Sequence, residues 1–263
     1  ELAKILQKMG YHRYWIAEHH NFSGVVSSAT ALLIQRVLDN TEKIIVGAGG
    51  VMLPNHSPLQ VAETYGTLES MYPGRVDLGI GRAPGTDVET AVLIYRQKYA
   101  QTEFFIQDIK HLQRFFRPEE LHGKVVAYPG VGTNVPITIL GSSLNSAYVA
   151  AELGLTYSFA GHFSPEMAEE AIEIYRKNFK PSKYLLEPYV ILGVLAHGAE
   201  SDREAQRLYT SVQQGMINLT RGEKGLYPLP DENFEENRNV TSAEKIFLKS
   251  KMGINLMGTT DTM

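Results

Sequence analysis

Four of the chain's eight histidines stand in short polar clusters: Glu18-His19-His20, Asn55-His56 and Gly161-His162-Phe163. An imidazole changes charge near neutral pH, so one held at a reacting centre can take up or give a proton. Adjacent histidines on an extended segment point to opposite faces, so His19 and His20 offer at least one inward ring. A zinc motif on a helix needs histidines four apart, which this pair lacks; a metal centre would have to recruit His56 and His162. Histidines with a purely structural role would look the same. Metal ligand, proton-transfer group and structural residue therefore all stay open.

A second chemistry is written in Gly141-Ser142-Ser143, followed by a helical pattern from Asn145. Backbone N–H groups at a helix N-terminus, two hydroxyls and the Asn145 amide can hold a phosphate, although an ordinary capped helix fits as well. Arg82 lies in the glycine-rich run Gly79-Ile80-Gly81-Arg82-Ala83-Pro84-Gly85. Its guanidinium can pair with the same anion or simply face solvent. Together the cradle and the arginine point to a phosphorylated ligand. Gly47-Ala48-Gly49-Gly50 interrupts a strand, which suggests either a bulge approached by a flat ligand or a position too tight for side chains. Trp15 reads as core with no role of its own.

These groups need a frame. Leu2, Ile5, Leu6 and Met9 mark one helical face, stopped at Gly10. Strand patterns follow at Tyr14–Ala17, Ile44–Val51, Val76–Ile80, Ile137–Leu140, Thr156–Phe159, Tyr189–Ala196 and Asn255–Met257. Helices alternate with them. One is capped by Ser27 or Ser28 and runs to Asp39, with Leu32, Leu33, Val37 and Leu38 inward. Another starts with a Ser57/Gln60 capping box and Pro58 and ends near Met71. Others cover Val88–Phe116 and Asn145–Leu153. One starts at Ser164-Pro165 with Ala168, Ala171, Ile172 and Tyr175 apolar. The last two open with capping boxes at Ser201/Glu204 and Thr241/Glu244. Lys224–Asn239 reads as a polar, exposed excursion.

Strand–helix alternation means a parallel sheet. A doubly wound sheet would want a dinucleotide fingerprint at its first turn, and none follows a strand: Pro84 stands where a G-x-G-x-x-G run from Gly79 needs its last glycine. The pattern favours a single (β/α)8 barrel domain over residues 1–263. It would lack the first strand, which would precede Glu1, and the final helix, which would follow Met263. The chain starts at Glu1, not Met, and the expectation is a piece of a longer protein. In such barrels chemistry gathers at the C-terminal ends of the strands, where the clusters above fall.

Composition narrows the class. A 43% hydrophobic and 21% charged chain can build a core, which excludes disorder. The net charge of −4, with no basic cluster, argues against nucleic acid as a partner. No apolar run approaches the ~18 residues that span a bilayer, so no membrane is expected. With no cysteine there is no disulfide, thiolate metal site or thiol nucleophile. That fits a reducing compartment, and with no signal-peptide pattern the expectation is cytoplasmic.

Tyr14-Trp15-Ile16-Ala17-Glu18-His19-His20 closely resembles the W-x-x-E-H-H stretch of the bacterial luciferase-like flavin monooxygenases. Val46–His56 resembles their third strand and the loop after it, and Tyr72–Arg82 their fourth strand. Ile139–Ser143 with the helix from Asn145 resembles their phosphate-binding turn. Four such stretches, in order over nearly the whole chain, are specific where one is weak. The resemblance implies a TIM barrel holding FMN or, alternatively, a deazaflavin coenzyme. It implies His19 as catalytic base, with His20 and His56 near the flavin and substrate. It implies a non-proline cis peptide at Gly49-Gly50 against the flavin ring. It maps Arg82, Gly141, Ser142, Ser143 and Asn145 onto the phosphate contacts.

Gly81 departs from the pattern: it stands where the luciferases carry a reactive cysteine. The expected activity is therefore a monooxygenase that uses reduced FMN, supplied by a separate flavin reductase, and O2 on a small organic substrate, without light emission being assumed. His162 and Phe163 are expected on the substrate side. The segment after Arg82 and the Lys224–Asn239 excursion are lid candidates. A deazaflavin oxidoreductase and a non-catalytic flavin-binding protein remain alternatives. A homodimer is expected, with Glu1–Met9 and Ser57–Met71 as candidate contact helices.

Overall fold

Val76-Asp77-Leu78-Gly79-Ile80-Gly81 is buried at every position. A strand covered on both faces belongs to a parallel sheet with helices on one side and a packed interior on the other. The computed structural model, which describes residues 1–94, 102–223, 225–251 and 253–263, builds that sheet. Helix α1 (Leu2–Lys8) leads into β1 (Arg13–Ile16), α2 (Thr30–Leu38), β2 (Ile45–Met52), α3 (Pro58–Met71) and β3 (Val76–Gly81). Then come α4 (Val88–Ile94), α5 (Thr102–Phe115), β4 (Ile137–Gly141), α6 (Leu144–Leu153), β5 (Thr156–Ala160), α7 (Ala168–Asn178), β6 (Val190–Gly193) and β7 (Leu195–Gly198). Helices α8 (Asp202–Arg221), α9 (Phe234–Asn237) and α10 (Ser242–Ser250) precede β8 (Asn255–Gly258).

Strands β1 to β6 pair in chain order, every pair parallel, and β7 pairs in parallel with β8. A doubly wound sheet reverses its order at a switch point; this one does not. The architecture is an incomplete (β/α)8 barrel. The strand expected at Tyr189–Ala196 is divided at Val194: Leu192 and Gly193 pair with β5, and Leu195 onward pairs with β8. One chain segment thus passes from one sheet to the other as the wall curves.

The main core runs from Ile34 of α2 to Tyr175 of α7, packed around the outward faces of the strands. A smaller cluster joins Ile217, Phe234, Val240 and Leu248. It corrects the reading of Lys224–Asn239 as wholly exposed, because Phe234 inserts into it at 3% exposure. Other expectations also shift. Helix α2 starts after Ala29 without a side-chain cap, and Leu32 is 69% exposed while Thr30, Ile34 and Leu38 face inward. Ser57 does precede α3, with Pro58 in its first turn, but makes no capping hydrogen bond. The Thr241/Glu244 box is complete. At Ser201 only the serine half forms, the hydroxyl accepting from the Glu204 N–H, while the Glu204 carboxylate pairs with Arg207. Leu2, Ile5 and Met9 of α1 are exposed, whereas Val61, Ala62, Tyr65 and Leu68 of α3 are core. The Val88–Phe116 region forms α4 and α5, and its residues 95–101 lie outside the described residues. Among the described residues no helix is long and apolar enough to cross a membrane.

Candidate active site

The sequence-predicted groups gather on one rim. His19 and His20 follow β1, Gly49 and Gly50 lie in the second half of β2, and His56 follows it. Arg82 follows β3, Gly141 to Ser143 close β4, and His162 and Phe163 follow β5. These strands are consecutive neighbours in the sheet. Ile80 pairs with Ile139, so the register brings Arg82, just past β3, level with Gly141, the last residue of β4.

The rim is held together by a carboxylate. Glu18 is 2% exposed. Its Oε1 accepts from His20 Nε2 at 2.9 Å and from His56 Nε2 at 2.9 Å. The Met52 N–H donates to its Oε2 at 3.2 Å, and Asn55 Nδ2 reaches Oε1 at 3.4 Å. Burial pushes the carboxyl up, but the hydrogen bonds and charge of His56, then His20 and the Met52 N–H, outweigh it and hold Glu18 below the usual glutamate range. A cavity of about 210 Å³ borders this cluster from the helix side, lined among others by Thr30, Gln60, His56 and Tyr65. Burial, then the charge of Glu18, pushes the Tyr65 hydroxyl far up.

The segment after β3 is tied over the histidines. The Gly85 carbonyl accepts from the His20 N–H at 3.1 Å and from His19 Nδ1 at 3.3 Å. Thr86 Oγ1 donates to the His20 carbonyl at 2.8 Å, and Asn21 Nδ2 to Thr90 Oγ1 at 2.8 Å. Gly85 has φ +66°, and a Cβ there would lie 2.7 Å from the Glu18 carbonyl oxygen, so only glycine permits this closure.

At the β4 end, Ser143 is the N-cap of α6 in extended conformation and makes no side-chain cap. Ser142 and Ser143 are half-buried, and Asn145 and Arg82 are exposed. The turn is braced from behind: Ser146 Oγ donates to the Ser143 carbonyl at 2.5 Å and bonds the Tyr157 hydroxyl at 3.0 Å. The N-terminus of α6 therefore has no side-chain cap, and of its first N–H groups that of Ser146 donates to the Ser143 carbonyl at 3.2 Å. At the β5 end the His162 and Phe163 rings lie 4.3 Å apart, and Phe163 is 58% exposed. Burial, partly offset by the Gly193 backbone, holds the His162 imidazole below its ordinary value. Its Nδ1 and the Asn55 Oδ1 are buried without a hydrogen-bond partner among the described residues.

The Gly49–Gly50 peptide is cis, the geometry that the resemblance implies there, and the β2–β3 register shifts between Ala48 and Val51. The barrel's own walls account for the glycines. A Cβ at Gly47 would fall 2.2 Å from the Asp77 carbonyl oxygen, and one at Gly50 2.8 Å from that of Gly79. At Gly49 it would meet the Trp15 side chain at 2.9 Å. Close approach by the neighbouring strands therefore requires glycine at these three positions.

The family model described as luciferase-like monooxygenase matches residues 1–249. The chain belongs to this luciferase-like monooxygenase family. A luciferase-like monooxygenase of Escherichia coli (strain K12) is 46% identical over 236 residues, 90% of this chain and 70% of that protein. The solved structure of apo-MsnO8 superposes with a TM-score of 0.88 at 31% identity, over 99% of this chain and 78% of that one. The fold alone is shared with two others. One is the FMN complex of the oxygenating constituent of 3,6-diketocamphane monooxygenase from Pseudomonas putida, a type II Baeyer-Villiger monooxygenase, at TM-score 0.66, 18% identity, and 99% and 79% coverage. The other is an F420-dependent secondary alcohol dehydrogenase at 0.70, 14%, and 98% and 80%.

Within this luciferase-like site, the sequence clusters contain Glu18 and Asn55 but do not reveal that Glu18 is the common acceptor or that Asn55 joins it. Asp77, 3% exposed, accepts from Arg13 Nε at 2.7 Å and from Trp15 Nε1 at 3.1 Å, which gives Trp15 a polar anchor rather than a plain core position. The available signal was a lone acid within an otherwise apolar strand. Among the described residues no group of three His, Asp or Glu side chains could hold a metal ion.

Proposed function

We propose that this protein is a flavin-dependent monooxygenase that uses reduced FMN and O2 to oxidise a small organic molecule. The observation that carries the reading is the uncapped N-terminus of α6 behind Ser142 and Ser143, beside Arg82 and on the same rim as His19. The residues fit a mononucleotide. Ser142, Ser143, Asn145 and the α6 N–H groups would hold its phosphate with Arg82, while Gly49-Gly50 would back its ring. His162 Nδ1 and Asn55 Oδ1, buried without a hydrogen-bond partner among the described residues, suit a polar ligand at the mouth. FMN supplies the electron transfer to oxygen when bound; the protein supplies binding, orientation and proton handling. His19 donates Nδ1–H to a carbonyl that can only accept, so in the neutral ring its Nε2 is the basic nitrogen. That atom is the proton acceptor of the proposal. His20, His56, His162 and Phe163 would line the substrate side. A flavin reductase would be the functional partner, and a second copy of the chain the structural one.

The test is a comparison of FMN with riboflavin, which lacks the phosphate. FMN should bind at least about 10-fold more tightly, the worth of one charge-assisted hydrogen bond. Most of that gap should close in a Ser142→Ala/Ser143→Ala/Arg82→Gln variant. No FMN binding, or equal affinity for both, overturns the reading. The F420-dependent relative of the fold supports a second reading, a deazaflavin oxidoreductase. Tighter binding of the deazaflavin coenzyme than of FMN, with hydride transfer indifferent to O2, would favour it.

A further inference from the structure

The rim contains a carboxylate whose hydrogen-bonding capacity is filled. Four donors converge on Glu18: two imidazole Nε2 atoms, one backbone N–H and one side-chain amide. An ionised carboxylate has about four acceptor sites and no proton to give. Each imidazole facing it must therefore carry its proton on Nε2. His56 also lies 3.0 Å from Oε2, so it spans both oxygens, whereas His20 reaches Oε1. His20 is held a second time through its backbone, by Gly85 and Thr86.

We propose that Glu18 is the positioning residue of this site: it fixes His20 and His56 in the Nε2–H form, making the Nδ1 of each ring the nitrogen that can accept a proton or a hydrogen bond. His19, tied by Nδ1–H to Gly85, is then oriented the opposite way, with Nε2 as its accepting atom. Three neighbouring imidazoles thus have defined accepting nitrogens, two set by one buried acid and one by a backbone carbonyl. Either ring held by Glu18 that gains a proton becomes an imidazolium beside a carboxylate already in place, so no group needs to move to stabilise it. The consequence for turnover rests on the flavin monooxygenase reading; the tautomers do not.

The geometry gives the test a direction. In Glu18→Gln one oxygen becomes an NH2 group. The Met52 N–H is a backbone donor that cannot reverse, so the remaining amide oxygen must stay at the Oε2 position. His56 can keep its bond there. His20 then faces an N–H donor and satisfies it only by moving its own proton to Nδ1. Nitrogen-15 NMR of the imidazoles reads this directly, with the two rings assigned through His20→Asn and His56→Asn. In the unsubstituted protein, above the pH at which histidines titrate, both rings should show Nε2–H. In Glu18→Gln, His20 should switch to Nδ1–H and His56 should not. A carboxylate that only staples the β1 and β2 ends would lower thermal stability and leave the His20 tautomer alone, and that result overturns the proposal. So does an Nδ1–H form of either ring in the unsubstituted protein, a measurement that needs no variant to fold. With a flavin reductase and an oxidisable substrate, Glu18→Gln should lose at least about 10-fold in kcat with FMN affinity retained. Failure to bind FMN would sink the monooxygenase reading and leave the tautomer result standing.

Discussion

Two buried acids sit on the inner barrel, one near each end, and their partners differ in kind. Asp77, on β3, is held by the Arg13 guanidinium and the Trp15 indole. Glu18, past the end of β1, is held by two imidazoles, an amide and a backbone N–H. Arginine stays charged at any pH a protein survives. Burial pulls Arg13 down, but its hydrogen bond and charge contact with Asp77 more than restore it. The lower acid thus belongs to a pair of permanent character, aligned further by Arg13 stacking 5.9 Å over the Tyr189 ring. The upper acid faces groups that take up and lose protons near neutrality. The same side-chain chemistry meets a permanent cation at one end and titratable rings at the other, and the neighbours decide what each acid can do.

The comparison breaks first at Asp77. Asp77→Ala should cost about 2–3 kcal/mol, less than the ~3–5 kcal/mol of a fully buried pair, because the Arg13 side chain is partly exposed and recovers some solvation. Urea unfolding measures it. The imidazole tautomers at His20 and His56 should not change. A loss below about 0.5 kcal/mol, within the range of ordinary surface substitutions, would remove the distinction between the two acids.

Acid sharpens the contrast. The Glu18 carboxyl is held below its ordinary value in the folded protein, so the folded state binds fewer protons there than the unfolded chain does. Its contribution to stability is fully present above the ordinary glutamate value and is lost as pH falls through the lower folded value. Urea midpoints measured down through that window should fall more steeply for the unsubstituted protein than for Glu18→Gln, which has no proton to bind. Parallel curves would mean that the two imidazoles do not hold the carboxylate.

Much of this was legible in the residues. Strand–helix alternation gave the barrel class, because hydrophobic period and turn residues are local signals. The rim clusters could be placed because strand ends follow from the same pattern. Glycine at 47, 49 and 50 could be seen as unusual, but not why: the cause is Asp77, Trp15 and Gly79 on neighbouring strands. Convergence of His20 and His56 on Glu18 depends on a contact 38 residues apart in the chain and on a segment closed by Gly85. Helix faces were misjudged where one apolar stripe had two outlets. Leu32 looks like core by spacing, yet the buried face of α2 is formed by Thr30, Ile34 and Leu38. The division at Val194 left no mark in the sequence, since both halves are apolar and only their pairing differs.

The smallest effect falls at His162, which resembles neither acid's partners. Its ring lies against Gly193, where an added Cβ would be 3.1 Å from Nδ1, and that Nδ1 is buried without a hydrogen-bond partner among the described residues. Burial favours the neutral ring, and the Gly193 backbone offsets this only in part, so the folded value lies below the ordinary one. The folded protein then resists protonation that the unfolded chain accepts. Stability is complete above the ordinary histidine value and declines as pH falls from there toward the lower folded value. His162→Gln should therefore flatten the fall of the urea midpoint as pH drops below the ordinary histidine value. If His162 is instead held by a carboxylate in solution, the slope changes sign, and the third histidine cluster joins the Glu18 type.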